Sequence, residues 1–158
     1  MPSLDLVEQS ELFRGLSQEV LKKIITFCQE AEYPRGATII EEGDKAQHVC
    51  VLEHGLVTLR IDPPVGKEKV MVTAIRDAGE IFGWSTLIEP YVYTSTAVCL
   101  EPTKVIVVDG SELMRLLEEN PKAGFVVMKN VSAVVASRLR KARTALTSAL
   151  APGLISHG

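Results

Sequence analysis

The sequence predicts a mainly β fold: an antiparallel β jelly roll (double-stranded β-helix) with N-terminal helices and a long C-terminal helix. Three observations lead there. The apolar period is helical up to about Cys28, strand-like from Thr38 to Val108, and helical again after Asp109. Glycine- and proline-containing turns punctuate the middle of the chain at short, regular intervals. The gaps between its β-rich runs are too short to hold crossover helices, so neighbouring strands run antiparallel. A chain of 158 residues, 46% hydrophobic and 23% charged, is enough for one packed domain. The expected division is a helical segment over 1–30, a barrel over 31–109, terminal helices over 110–150 and a tail over 151–158.

Each element has its own signal. A short helix is expected around Leu4–Leu12. Ser17 then reads as an N-cap, and Val20, Leu21, Ile24, Ile25 and Cys28 follow at helical spacing, predicting a helix over 18–29. Pro34-Arg35-Gly36 ends that segment. Strands are predicted at Thr38–Ile40, His48–Leu52, Leu56–Ile61, Val70–Ile75, Thr94–Cys99 and Lys104–Val108. Gly43, Gly55, Gly66 and Gly79 fall in the turns, where a positive φ or a close approach is needed. Asp109 or Ser111 caps a helix running to Glu119. Asn120-Pro121 starts the last helix, with Asn as cap and Pro in the first turn, and Ala151-Pro152-Gly153 is expected to stop it.

That last helix, of about 29 residues, would be ~43 Å long and outreach the barrel. Met128, Val131, Val135, Leu139, Ala142 and Leu146 approach a heptad seam, which points to a homodimer through 128–149. The alternative is a helix folded back on its own barrel. The charge is uneven: residues 1–119 carry −9 and residues 120–158 carry +6, with Arg138, Arg140, Lys141 and Arg143 close together. Such a stretch suits an acidic partner, or simply a solvated helix whose cations favour its C-terminal end.

Several function classes find no support. Cys28, Cys50 and Cys99 are odd in number and set among apolar residues, which fits buried free thiols in a reducing cytoplasm. The chain has no apolar run long enough for a membrane span and no secretory leader pattern. His48 and Cys50 alternate on one predicted strand, but two ligands do not make a metal site. No Ser/His or Cys/His arrangement and no phosphate-binding glycine loop stands out, so no catalytic residue, no metal ligand and no enzyme activity is assigned.

Glu42-Gly43-Asp44, Gly55-Leu56-Val57 and Gly79-Glu80-Ile81-Phe82-Gly83, in this order within a barrel followed by a long helix, resemble the cyclic-nucleotide-binding domain family. Leu12-Phe13-Arg14-Gly15-Leu16-Ser17 is similar to the family's opening segment, and the resemblance covers residues 4–148. It implies a regulatory sensor whose phosphate-binding cassette, here 79–97, cradles a cyclic phosphate with backbone N–H groups. The family's cassette adds an arginine for the phosphate and a glutamate for the ribose. Phe82, Gly83, Leu87 and Thr96 match that pattern. Trp84 stands at the glutamate position, Tyr93 at the arginine position, and Thr94 and Ser95 at two alanines.

Losing the arginine removes a charge-assisted contact worth about 1.5–3 kcal/mol per hydrogen bond. Two readings follow. The hydroxyls of Ser85, Thr86, Thr94, Ser95 and Thr96, with Phe82, Gly83, Trp84 and Tyr93, could hold a small anion such as cAMP or cGMP in an altered way. Ala142 and Arg143 would then supply lid contacts, and the terminal helix would carry the signal. Alternatively the aromatic residues fill the pocket, and the chain is a ligand-free interaction or dimerisation module with an unidentified protein partner. Relatives that regulate transcription carry a helix-turn-helix after the long helix. Residues 151–158 cannot form one, so direct DNA binding is not expected.

Overall fold

A computed structural model describes residues 2–66 and 68–156. Two short helices open the chain, α1 (Leu4–Gln9) and α2 (Gln18–Ile25). Ser17 caps α2 as expected, its hydroxyl accepting from the N–H of Val20 at 3.3 Å. Leu21, Ile24 and Ile25 form the buried face of α2.

Eight strands follow: β1 (Cys28–Tyr33), β2 (Thr38–Ile40), β3 (His48–His54), β4 (Val57–Ile61), β5 (Val70–Ile75), β6 (Ile81–Phe82), β7 (Thr96–Cys99) and β8 (Thr103–Asp109). They build two four-stranded antiparallel sheets, ordered β1-β8-β3-β6 and β2-β7-β4-β5, which face each other as a jelly roll. One core fills the barrel, from Ile40, Cys50, Leu52, Phe82 and Tyr93 among others. A second lies between the outer face of the first sheet and the helices, around Phe13, Ile24, Val49, Ile81 and Val127. The glycines in the expected turns do take positive φ, and at Gly55 a Cβ would also stand 2.4 Å from the Thr103 hydroxyl.

Two strands depart from expectation. Cys28 ends no helix; it begins β1, so the barrel starts before residue 31. The run Cys28-Gln29-Glu30-Ala31-Glu32-Tyr33 is too polar to read as a strand, yet β1 is an edge paired only to β8, and its outward residues stay wet. The two-residue β6 is too short to show a period.

The chain then returns to helix: α3 (Gly110–Glu119) and α4 (Pro121–Ser156). Asp109, not Ser111, caps α3 by accepting from Glu112 N–H at 2.9 Å. Asn120 stands at the N-cap position of α4, its carbonyl accepting from the Gly124 N–H at 2.9 Å, but its side chain turns the other way. Its amide donates back to the Leu116 carbonyl at 2.9 Å and closes α3 instead. Nor does α4 stop at Ala151-Pro152-Gly153; it continues to Ser156, so residues 151–156 are helix rather than tail, and residues 157–158 lie outside the described residues. A proline removes one backbone N–H bond and strains the preceding turn, which weakens a terminal turn without reversing its direction.

The seam on α4 splits in two. Of its expected members Val131, with the partly buried Met128, packs onto the chain's own core beside Val127 and Val134. Val135, Leu139, Leu146 and Leu150 face outward, Leu139 and Leu146 each 61% exposed.

Candidate functional site

The cassette starts where β6 leaves the barrel. Phe82 is fully buried. Gly83 turns the chain with φ 83°, a left-handed conformation that favours glycine, and a Cβ there would press on the His48 carbonyl at 3.2 Å. A 3-10 turn, Trp84–Leu87, follows. The loop after it is laced to the β2–β3 loop: Tyr93 N–H donates to the Asp44 carbonyl at 2.9 Å, Gly43 N–H to the Tyr93 carbonyl at 2.9 Å, and Ala46 N–H to the Tyr91 carbonyl at 2.8 Å.

Tyr93 is the central side chain. It is 7% exposed and packs in the barrel core. Its hydroxyl donates to the His48 carbonyl at 2.8 Å and accepts from the His48 N–H at 3.2 Å. Burial raises the phenol's pKa, partly offset by the His48 bond, so the hydroxyl stays protonated and keeps donating. Around the ring, Gly83, Trp84, Ser85, Thr94 and Ser95 border a cavity of only about 20 Å³. Ile40 and Leu59 close it from β2 and β4. Water needs roughly 10–15 Å³, so the space holds about one water.

The remaining expected residues lie elsewhere. Thr86 is buried against the start of α3, where a Cβ on Gly110 would be 1.8 Å from its Oγ1. Thr96 Oγ1 accepts from the Glu42 N–H at 3.0 Å and tethers the β2–β3 loop. Ala142 and Arg143 do not border the cavity, and Arg143 is exposed on the free face of α4 beside Arg140 and Thr144. Lys104 offers no replacement cation, because Glu30 at 3.2 Å and Glu53 at 3.4 Å hold it on β8.

The sequence reading did not single out Arg138 for this region. It is 8% exposed, and its guanidinium carbon lies 5.2 Å from the centre of the Trp84 ring. Nη2 donates to the Ile81 carbonyl at 2.5 Å and stands 3.7 Å from Glu11 Oε2. Nη1 is buried without a partner among the described residues. Burial lowers the Arg138 pKa, while Glu11 and Glu80 pull it back up. Glu11 Oε2 also accepts from Ile81 N–H at 3.0 Å, so the N-terminal segment, β6 and α4 meet at one point. The signal was present: Arg138 continues the inward stripe Val127, Val131, Val134 at helical spacing.

With this geometry in place, comparison with known proteins is direct. The sequence profile of the cyclic nucleotide-binding domain matches residues 30–120. The chain belongs to that family. It is similar to the cyclic AMP receptor protein of Thermus thermophilus, 29% identical over 84% of this chain and 59% of that protein. It is 21% identical to a CRP-like cAMP-activated global transcriptional regulator of Mycobacterium tuberculosis, over 87% of this chain and 58% of that protein. The chain thus spans under two thirds of the length of these curated relatives. Among solved structures, a candidate cyclic nucleotide-binding protein of Geobacter metallireducens superposes with a TM-score of 0.77 at 34% identity, covering 88% of this chain and 99% of that one.

The chain therefore belongs to the cyclic nucleotide-binding domain family and has its jelly-roll fold; the two curated relatives above are a cyclic AMP receptor protein and a cAMP-activated transcriptional regulator. Among the described residues no helix is long and apolar enough to cross a membrane, and no group of three or more His, Cys, Asp or Glu gathers as a metal site.

Proposed function

We infer that this domain is a non-catalytic, cytoplasmic regulatory module that works through α4 as an interaction and dimerisation surface, with its cassette closed by its own side chains. The observation that carries this reading is that the cavity beside Tyr93 measures only about 20 Å³, far too small for a cyclic nucleotide. The cassette also lacks a cation at its phosphate position, where Tyr93 stands. The outward stripe of Val135, Leu139, Leu146 and Leu150 offers α4 to a second copy, in keeping with its heptad-like spacing.

Calorimetric titration with cAMP and cGMP tests the closed cassette. The expected result is no heat of binding at millimolar nucleotide. Micromolar binding of either overturns it.

One observation favours a second reading, that of an anion sensor. Ser85, Thr94 and Ser95 border the same cavity beside Trp84, a hydroxyl-rich lining that could receive an anion if Tyr93 swung out. Nucleotide binding accompanied by a change in Trp84 emission would establish that reading in place of the first.

A further inference from the structure

On the far side of Tyr93 lies a second, larger opening. A cleft of about 230 Å³ enters the barrel between the β1 edge of one sheet and the β2 edge of the other. Tyr93 and Ile40 border both this cleft and the closed cassette cavity, so they form the partition between them. The cleft exceeds the ~150 Å³ apolar cavity that accommodates benzene, which sets the scale of its occupant at a single ring with a short chain.

Its lining is graded from apolar to charged. Inside are Tyr33, Ile39, Cys50 and Val107. At the mouth stand the Glu41 and Asp44 carboxylates, neither in an ion pair among the described residues. Lys45 also reaches the mouth and is exposed, as Glu41 and Asp44 are; two carboxylates against one ammonium leave the rim net negative. The half-buried Tyr33 hydroxyl has no hydrogen-bond partner among the described residues and is free to bond an occupant. Cys50 gives no covalent chemistry, because burial holds its thiol at about 12.

We propose that this cleft is a ligand site for a small aromatic ammonium compound, with its ring against Tyr33, Ile39 and Tyr93 and its cation at Glu41 and Asp44. Aromatic walls with acceptors at one end are how proteins hold organic cations. A bare metal ion does not fit: Glu41, Asp44, His48 and Cys50 all line the cleft, but among the described residues no three such groups come together closely enough to hold one. The site goes beyond the function proposed above, since it lies across Tyr93 from the cassette and needs no cyclic nucleotide.

The test is an NMR titration of the whole chain with tyramine and with its neutral analogue 4-ethylphenol. Tyramine is expected to give saturable shifts at the Tyr33, Cys50 and Val107 amides, with Ser85 and Thr94 unmoved. The neutral compound should bind at least about tenfold more weakly, as loss of a charge-assisted contact requires. Glu41→Gln with Asp44→Asn should weaken tyramine to the same extent, and Lys45→Gln should strengthen it. Added salt gives a readout that needs no variant: it must weaken tyramine and leave 4-ethylphenol unchanged. No saturable shift at millimolar tyramine, equal binding of the two compounds, or shifts at Ser85 and Thr94 instead would each overturn the proposal. Only shifts at Ser85 and Thr94 would also count against the closed cassette; the other outcomes leave it to the cAMP titration, so the two readings fail or stand separately.

Discussion

Tyr93 shows how one side chain can alter a family's site without disturbing its fold. Where the sequence resemblance leads one to expect a cation, this chain places a phenol that satisfies the backbone of His48 in both directions. Tyr93→Phe keeps the ring and removes both bonds, leaving a partly buried N–H and carbonyl short of a partner. The expected cost is about 1–3 kcal/mol, read as a lower urea midpoint with an unchanged slope. An unchanged midpoint would mean the hydroxyl holds nothing. At this scale the sequence was informative about residues adjacent in the chain. Trp84 and Tyr93 occupy cassette positions that can be counted off from Gly83. Ile40, Leu59 and Arg138 reach the same place from β2, β4 and α4, and no local pattern announces a contact across fifty residues.

Elements were legible where their period was long enough to count and their burial one-sided. The β5 run Val70–Ile75 emerges where the sequence places it, and the α3 cap falls on Asp109, one of the two candidates the sequence offers. The polar edge β1 and the two-residue β6 do not, because pairing rather than composition makes them strands. The junction of β8 and α3 is tightly packed. Gly110 opens α3 with Thr86 of the cassette turn against its Cα, so Gly110→Ala drives a methyl into the Thr86 hydroxyl and to 2.9 Å from the Gln47 carbonyl. Alanine favours helix over glycine by about 1 kcal/mol, but overpacking costs about 1–3 kcal/mol or more. The variant is therefore expected to melt lower than the parent. A higher melting temperature would show that the cassette turn gives way easily. Arg138 then links elements rather than residues, since α4, β6 and the segment after α1 all end at its guanidinium.

Over the whole molecule, α4 divides into a bound half and a free half. Its 36 residues extend for ~54 Å. From Leu139 on, the described side chains are exposed apart from the half-buried Ala142. An exposed apolar stripe on such a helix is covered when two copies pair. Leu139→Glu with Leu146→Glu is expected to convert a dimer into a monomer in sedimentation equilibrium, with the barrel's melting barely altered because neither side chain touches it. A parent protein that sediments as a monomer at every concentration would remove the pairing altogether. The heptad-like spacing was visible in the sequence; which of its members turned inward was not, because Val131 and Val135 are equally apolar and only the barrel beneath α4 distinguishes them.

The seal at Tyr93 bears on how such a protein would be maintained in a cell. A receptor stabilised by its metabolite gains RT ln(1 + [L]/Kd) on binding. Its empty form is then the weaker one, and quality-control proteases can clear it when the metabolite runs short. A cassette filled by its own tyrosine offers no such distinction for a cyclic nucleotide. Its lifetime would not follow that nucleotide's supply, whatever the cleft across Tyr93 holds.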